Sequence, residues 1–170
     1  MASQQIEIFL NDALKNFSKW LNENSWIGKE HDCVNLFAHK ILFDEIAKGA
    51  KNAIIHHPTQ ICIECGLKQP KDGNYNKRFA RKDLVLWEYP YQNSWSVTWE
   101  AVNIPIAVME WKVKFKANSP SKISKSHDDD WIRRYTEENP SCIGYVVFVD
   151  ITSKPWKKVE WRLYKQGVFS

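Results

Sequence analysis

The stretch from Ile143 to Ile151 is almost wholly apolar. A strand sends successive side chains to opposite faces, so a strand without polar alternation must be covered on both sides. That demand points to one sheet held between flanking helices.

The remaining pattern supplies the cover. Ile6, Phe9, Leu10, Ala13, Leu14, Phe17, Trp20 and Leu21 recur at helical spacing and predict a helix over 4–23, broken by Asn22 to Gly28. Val34, Phe37, Ala38, Ile41, Leu42 and Ile46 make the apolar stripe of a second helix over 29–48, with Gly49 as its C-cap. Asp128, Asp129 and Asp130 are the acidic first turn of a third helix over 128–138, whose inner face carries Trp131, Ile132 and Tyr135 and which Asn139 and Pro140 end. Strands are expected over 53–63, with Pro58 marking an edge or bulge, and over 82–87, 104–115, 143–151 and 159–164. Pro70, Asp72 and Gly73 are turn signals within the polar stretch 66–80. The expected fold is α/β (α+β), a central mixed sheet of about five strands flanked by helices. A chain of 170 residues is read as a single domain, 1–170, with an aromatic, hairpin-like insertion over 88–103.

Two segments carry charge inside apolar strands: Arg81-Lys82-Asp83-Leu84-Val85-Leu86-Trp87 and Ala107-Val108-Met109-Glu110-Trp111-Lys112-Val113. The period of two puts Glu110 and Lys112 on one face, opposite Met109, Trp111 and Val113. Buried charge is costly unless it is paired or ligates something. Asp83 and Glu110, on adjacent strands, can give carboxylate oxygens to a hard divalent cation such as Mg²⁺ or Mn²⁺. Lys112 can orient water and offset charge developing at phosphorus. The alternative is a structural Asp–Lys or Glu–Lys pair.

An Asp at the head of one strand followed by Glu-x-Lys in the next resembles the PD-(D/E)XK nuclease superfamily, and the resemblance covers roughly residues 29–151. It implies a restriction-endonuclease-like core of order αβββαβ, here with an extra N-terminal helix. It further implies a divalent-metal-dependent deoxyribonuclease, an endonuclease, with Asp83, Glu110, Lys112 and Glu30 catalytic. Of these, Asp83, Glu110 and Glu30 would bind the metal. Glu45 is the alternative helical carboxylate, and Lys82 stands where the family's motif has Pro. The rival reading is a catalytically silent nucleic-acid- or protein-binding module on the same fold. Many enzymes of the fold pair two sites, so a homodimer is compatible with the resemblance.

The net charge of +4 permits an anionic partner without requiring one. The basic residues gather at Lys68, Lys71, Lys77, Arg78, Arg81 and Lys82, and again at Lys112, Lys114, Lys116, Lys122 and Lys125. Lys77, Arg78, Arg81, Lys82, Lys114 and Lys116 are the candidates for binding DNA phosphates, the alternative being a solvated face. Arg133 and Arg134 fit a solvated face better. Trp87, Tyr89, Tyr91, Trp95 and Trp99 suit base stacking, cover of a sheet edge, or a dimer contact equally well. His57 and Gln60 are accessory candidates near the site. Cys62-Ile-Glu-Cys65-Gly66, downstream of His56 and His57, has the spacing of half a zinc knuckle but lacks a second CxxC. Four cysteines in a chain of this length do not make a disulfide framework. Residues 1–7 lack the order of a secretory signal, and no stretch nears the roughly 20 apolar residues of a membrane span. The expectation is a soluble, cytoplasmic protein.

Overall fold

The computed structural model describes residues 2–48, 54–71, 73, 75–98, 100–115 and 127–170. Among these, the chain is mixed α/β, with six strands in one mixed sheet and three helices against it. Helix α1 spans Ala2–Glu23. Helix α2 runs over 30–47, its middle third, Phe37–Leu42, wound as a π-helix. Helix α3 is His127–Glu138. The strands are β1 (Ile61–Lys68), β2 (Phe79–Leu86), β3 (Ala107–Lys114), β4 (Ile143–Asp150), β5 (Lys158–Lys165) and β6 (Val168–Phe169). Their order in the sheet is sequential, and β3 and β4 are parallel while every other neighbouring pair is antiparallel.

All of β4 is buried, as its composition demanded. On one face α1 and α2 pack over Leu84, Leu86, Met109, Trp111, Tyr145 and Val147. Trp111 is the centre of this layer, with its ring centroid 5.4 Å from Phe17 of α1 and 5.1 Å from Phe37 of α2. On the other face Trp131, Ile132 and Tyr135 of α3 cover Val85, Val108 and Val146. Gly144 lets α3 approach β4, because a Cβ there would stand 2.2 Å from Ile132 Cγ2. The N-terminal helix stops where Lys157 Nζ donates to the carbonyls of Leu21, Asn24 and Trp26 at 2.7, 2.8 and 2.9 Å, satisfying acceptors that the last turn leaves open.

Three expectations change. The first strand begins at Ile61 and runs on to Lys68, rather than covering 53–63. Over 54–60 the chain is a loop ending in a 3-10 turn at Pro58–Gln60. Buried Gln60 pins that loop, accepting from the N–H groups of His56 and His57 and donating to the carbonyls of Ile54, Trp87 and Glu88. The second strand begins at Phe79 rather than at Lys82, so the turn signals Pro70 and Gly73 lie in the tip of a β1–β2 hairpin. The sixth strand was not expected. Gln166 and Gly167, with φ of 51° and 76°, form the two-residue turn that folds β6 back on β5.

The expected C-cap Gly49, the turn residue Asp72, Trp99, Lys116, Lys122 and Lys125 lie outside the described residues. No helix among the described residues is long and apolar enough to cross a membrane.

Candidate active site

The site is made by two strands that stop pairing. β2 and β3 pair only at Leu84↔Met109, Val85↔Val108 and Leu86↔Ala107. Beyond that point β2 stays with β1 as far as Phe79, while β3 stays with β4 as far as Lys114. Asp83 and Glu110 stand where the two strands part. Asp83 Oδ2 accepts the Trp111 N–H at 2.7 Å, so a side-chain oxygen takes the place of the missing ladder carbonyl. Two residues on, the Val113 N–H bonds the carboxylate of Glu30. The N–H groups that β3 no longer gives to β2 are thus held by two carboxylates, which fixes both at the mouth of a notch.

A slip in strand phase shapes the β2 side. In β1, Ile61 and Ile63 pack toward α1 and α2, whereas Cys62, Cys65 and Leu67 pack toward α3. In β2, Leu84 and Leu86 face α1 and α2, whereas Ala80, Val85 and, just past the strand, Trp87 face α3. Strict alternation fails in both strands at Glu64 and Asp83, which lie between the pairs Ile63↔Leu84 and Cys65↔Lys82. Glu64 absorbs the slip with φ of 55°, in the left-handed region.

This slip corrects the role expected of Lys82. Its side chain turns inward, 4% exposed, with Nζ 4.1 Å from the centroid of the Trp131 ring. The ammonium lies 3.5 Å from Glu110 Oε2 and 3.9 Å from Asp128 Oδ1. A lysine so enclosed is not a surface phosphate contact. Lys114 is corrected likewise: it stands opposite Asp150 on β4, pairs with it at 3.3 Å, and is 12% exposed. Lys77, Arg78 and Arg81 are exposed.

Glu110 and Lys112 share a face, and both reach the first turn of α3. Lys112 Nζ lies 3.3 Å from Asp128 Oδ2, 3.8 Å from Glu110 Oε1 and 3.9 Å from Glu30 Oε1. Four carboxylates, Glu30, Asp83, Glu110 and Asp128, therefore surround two ammonium groups, those of Lys82 and Lys112. Glu45, the alternative helical carboxylate, instead bonds Asn16 and Lys48. His57 caps the 3-10 turn through Thr59 and lies against Tyr91, and Gln60 is the loop anchor described above. Neither is brought into the cluster.

The electrostatics are uneven. Burial pushes Glu110 up to about 8; Asp83 and Asp128 add to the rise, and Lys82 and Lys112 oppose it. Its Oε2 is buried without a hydrogen-bond partner, since Lys82 approaches within ion-pair range but without hydrogen-bond geometry. Burial also raises Asp83 and Glu30, against the Trp111 N–H in the first case and Lys112 in the second. For Asp128 burial acts upward, but Lys112 and Lys82 outweigh it and the carboxyl is held below its usual value. For Lys112 burial acts downward and is outweighed by Asp128, Glu110, Glu30 and Asp83, so the ammonium is favoured.

The donor set suits a hard divalent cation: carboxylate oxygens, one of them buried and unsatisfied. In this conformation the carboxylates face ammonium groups, and no three His, Cys, Asp and Glu side chains among the described residues are gathered as a metal-holding group. Cys62 and Cys65 are free thiols, with Cys62 Sγ directed to the Ile63 carbonyl at 3.9 Å and Cys65 Sγ 3.5 Å from Ser94 Oγ. The His56 and His57 rings are engaged elsewhere, with the Ile54 carbonyl and Thr59.

Asp128 and Glu64 were not read as parts of the site, and Lys82 was read only as a phosphate contact. Asp128 did carry a signal. A helix crossing between parallel strands begins near the C-terminal end of the first strand, so an acidic first turn there faces the residues leaving β3. No family model, curated protein or solved structure matches the chain.

Proposed function

We propose that the chain is a cytoplasmic, divalent-metal-dependent nuclease of the PD-(D/E)XK type, on a restriction-endonuclease-like fold, cutting phosphodiester bonds within DNA. The observation that carries this reading is Glu110. It is a buried carboxylate with one unsatisfied oxygen, beside Asp83 where two strands part and on the same face as Lys112. Such a group is expensive in a purely structural role, because a buried acceptor without a donor costs about 1–3 kcal/mol.

Asp83, Glu110 and Glu30 would hold Mg²⁺ or Mn²⁺, which when bound supplies Lewis acidity and lowers the pKa of water. The Trp111 N–H orients Asp83, and the Val113 N–H orients Glu30. Lys112, favoured as a cation by its neighbours, positions the attacking water and offsets charge gathering on the phosphate oxygens. Water adds across the P–O bond, leaving a phosphate on one fragment and a hydroxyl on the other. Pairing two copies would present two such sites to two strands.

A second reading has one specific observation behind it. The Lys82 ammonium lies between Glu110 and Asp128, and a tethered cation there can balance the carboxylates in a catalytically silent binding module. Incubation with supercoiled and single-stranded DNA in Mg²⁺, Mn²⁺ or EDTA, beside Lys112→Ala and Glu110→Ala, separates the two. Cleavage that needs metal and is lost in both variants supports the nuclease. A folded wild type that cuts neither DNA form in either metal supports the silent module.

A further inference from the structure

Beside the notch, β1, β2 and the 88–103 insertion enclose an open groove of about 840 Å³ lined by Glu64, Gly66, Lys77, Arg78, Phe79, Arg81 and Trp95. We infer that this groove binds an unpaired stretch of nucleic acid, with bases against Phe79 and Trp95 and phosphates against Lys77, Arg78 and Arg81. That the bound strand is also the one cut rests on the nuclease reading above; the binding itself does not.

The groove combines the two chemistries that single strands require. Its cations are exposed, the Arg81 side chain at 74%. Its aromatic rings are packed edge to face, Phe79 on Trp95 at 4.4 Å, and the Arg78 guanidinium lies 5.2 Å from the Phe79 centroid. The Arg78 guanidinium lies over the Phe79 ring, which is 37% exposed, and the guanidinium plane and the open part of the ring suit a base whose own face is uncovered. In a duplex those faces are stacked away, whereas an unpaired base can present them. An acidic peptide would use the cations but not the rings.

The floor of the groove also fits. Gly66 leaves space over β1, where an added Cβ would lie 3.9 Å from Trp95. Trp95 is set by a short hairpin within the insertion, closed by the Trp95↔Ala101 bridge and the Ser96 N–H to the Glu100 carbonyl. Glu64 is the one lining carboxylate among the described residues, and Arg81 lies 3.8 Å from it. Because Glu64 stands opposite Asp83, the inner end of the groove meets the notch. A strand lying along the cations would be led to the carboxylates.

The test is binding in EDTA, where metal-dependent turnover is suppressed. Fluorescence anisotropy with a labelled oligo-dT of about 12 nucleotides, within the site sizes usual for such grooves, is compared with a duplex of equal length and with polyglutamate as competitor. The wild type should bind oligo-dT at least about tenfold more tightly than the duplex, and polyglutamate should displace it poorly. Trp95→Ala should weaken binding about tenfold, the loss of one stacked base. The doubly charge-reversed Lys77→Glu, Arg78→Glu chain, altered only at exposed positions, should weaken it similarly and lower the salt slope by about 1.4, two phosphate contacts at 0.7 each. No binding by wild type, equal affinity for duplex, displacement by polyglutamate, or folded groove variants within twofold of wild type would each overturn the inference. Lys15→Ala, exposed on α1 away from both the groove and the notch, should bind as wild type does. Binding without cleavage therefore removes the nuclease reading and keeps the groove, and cleavage with unaffected groove variants does the reverse.

Discussion

Glu110 and Asp129 are both buried acids beside the start of α3, and they differ in what meets them. Asp129 is 5% exposed, with Oδ2 accepting from Arg162 at 2.9 Å and Oδ1 from the Tyr164 hydroxyl at 2.7 Å. Glu110 is 7% exposed, with one oxygen that accepts no hydrogen bond although the Lys82 ammonium lies 3.5 Å away. Asp129 faces a continuous β4–β5 ladder, whereas Glu110 faces the gap left where β2 and β3 separate. Equal burial thus marks a strut in one place and a candidate ligand in the other. Satisfaction of the carboxylate, rather than its depth, distinguishes them.

The sharpest way to break this contrast is catalytic. Glu110→Gln and Asp83→Asn should each lower metal-dependent DNA cleavage by at least about a hundredfold, the scale of losing a group that handles charge or protons in the transition state. Asp129→Asn should stay within a few-fold of wild type per folded molecule. An Asp129→Asn chain as inactive as Glu110→Gln would erase the distinction.

Stability should run the other way. Asp129→Asn removes the charge behind two hydrogen bonds, and urea unfolding should show a loss of about 2–3 kcal/mol. Glu110→Gln should gain stability, but only at high pH. The folded-state pKa of Glu110, about 8, lies above its ordinary value of 4.5, so the native state binds the proton more tightly than the unfolded chain does. Its contribution favours folding at low pH and is lost as pH rises from about 4.5 through about 8. Melting of Glu110→Gln and wild type should therefore coincide near pH 4.5 and separate by pH 8, with the variant higher.

A divalent ion should reverse that order. With Mn²⁺ at ten times its Kd, wild type should gain about 1.4 kcal/mol, Glu110→Gln should gain far less, and Asp129→Asn should gain as much as wild type. Equal gains in all three, read as shifts in Tm, would place the ion away from Glu110. The smallest effect belongs to the outer face of the same helix. Arg133 pairs only across solvent-exposed contacts with Asp130 and Glu137, among the partners seen, and Arg133→Ala should change stability by under about 0.5 kcal/mol and leave cleavage unaltered.

Much of this was legible before any coordinates. The helix stripes, the double-sided burial of β4 and the shared face of Glu110 and Lys112 all follow from periods of 3.6 and two, which are local properties of the chain. Glu30 could be named a candidate because the first turn of α2 is read from the same stripe that places Val34 and Phe37. Choosing it over Glu45 took the packing of α2 on β3. The sixth strand had a local signal too, the Gln166–Gly167 turn, but two strand residues are too few to show a period.

Other features were decided only by tertiary structure. Lys82 reads as a basic residue among basic residues until the phase slip at Glu64 and Asp83 turns it inward over Trp131. Lys114 continues the basic run after Glu110 until the parallel register sets it opposite Asp150. Asp128 is the acidic start of a helix until the crossover from β3 to β4 brings that start over Lys112. The sequence determined which side chains share a face of their own strand or helix, because that repeat depends on neighbours a few residues away. Where two strands stop pairing, and which charges meet in the gap, depends on contacts between residues far apart in the chain, and no local period encodes them.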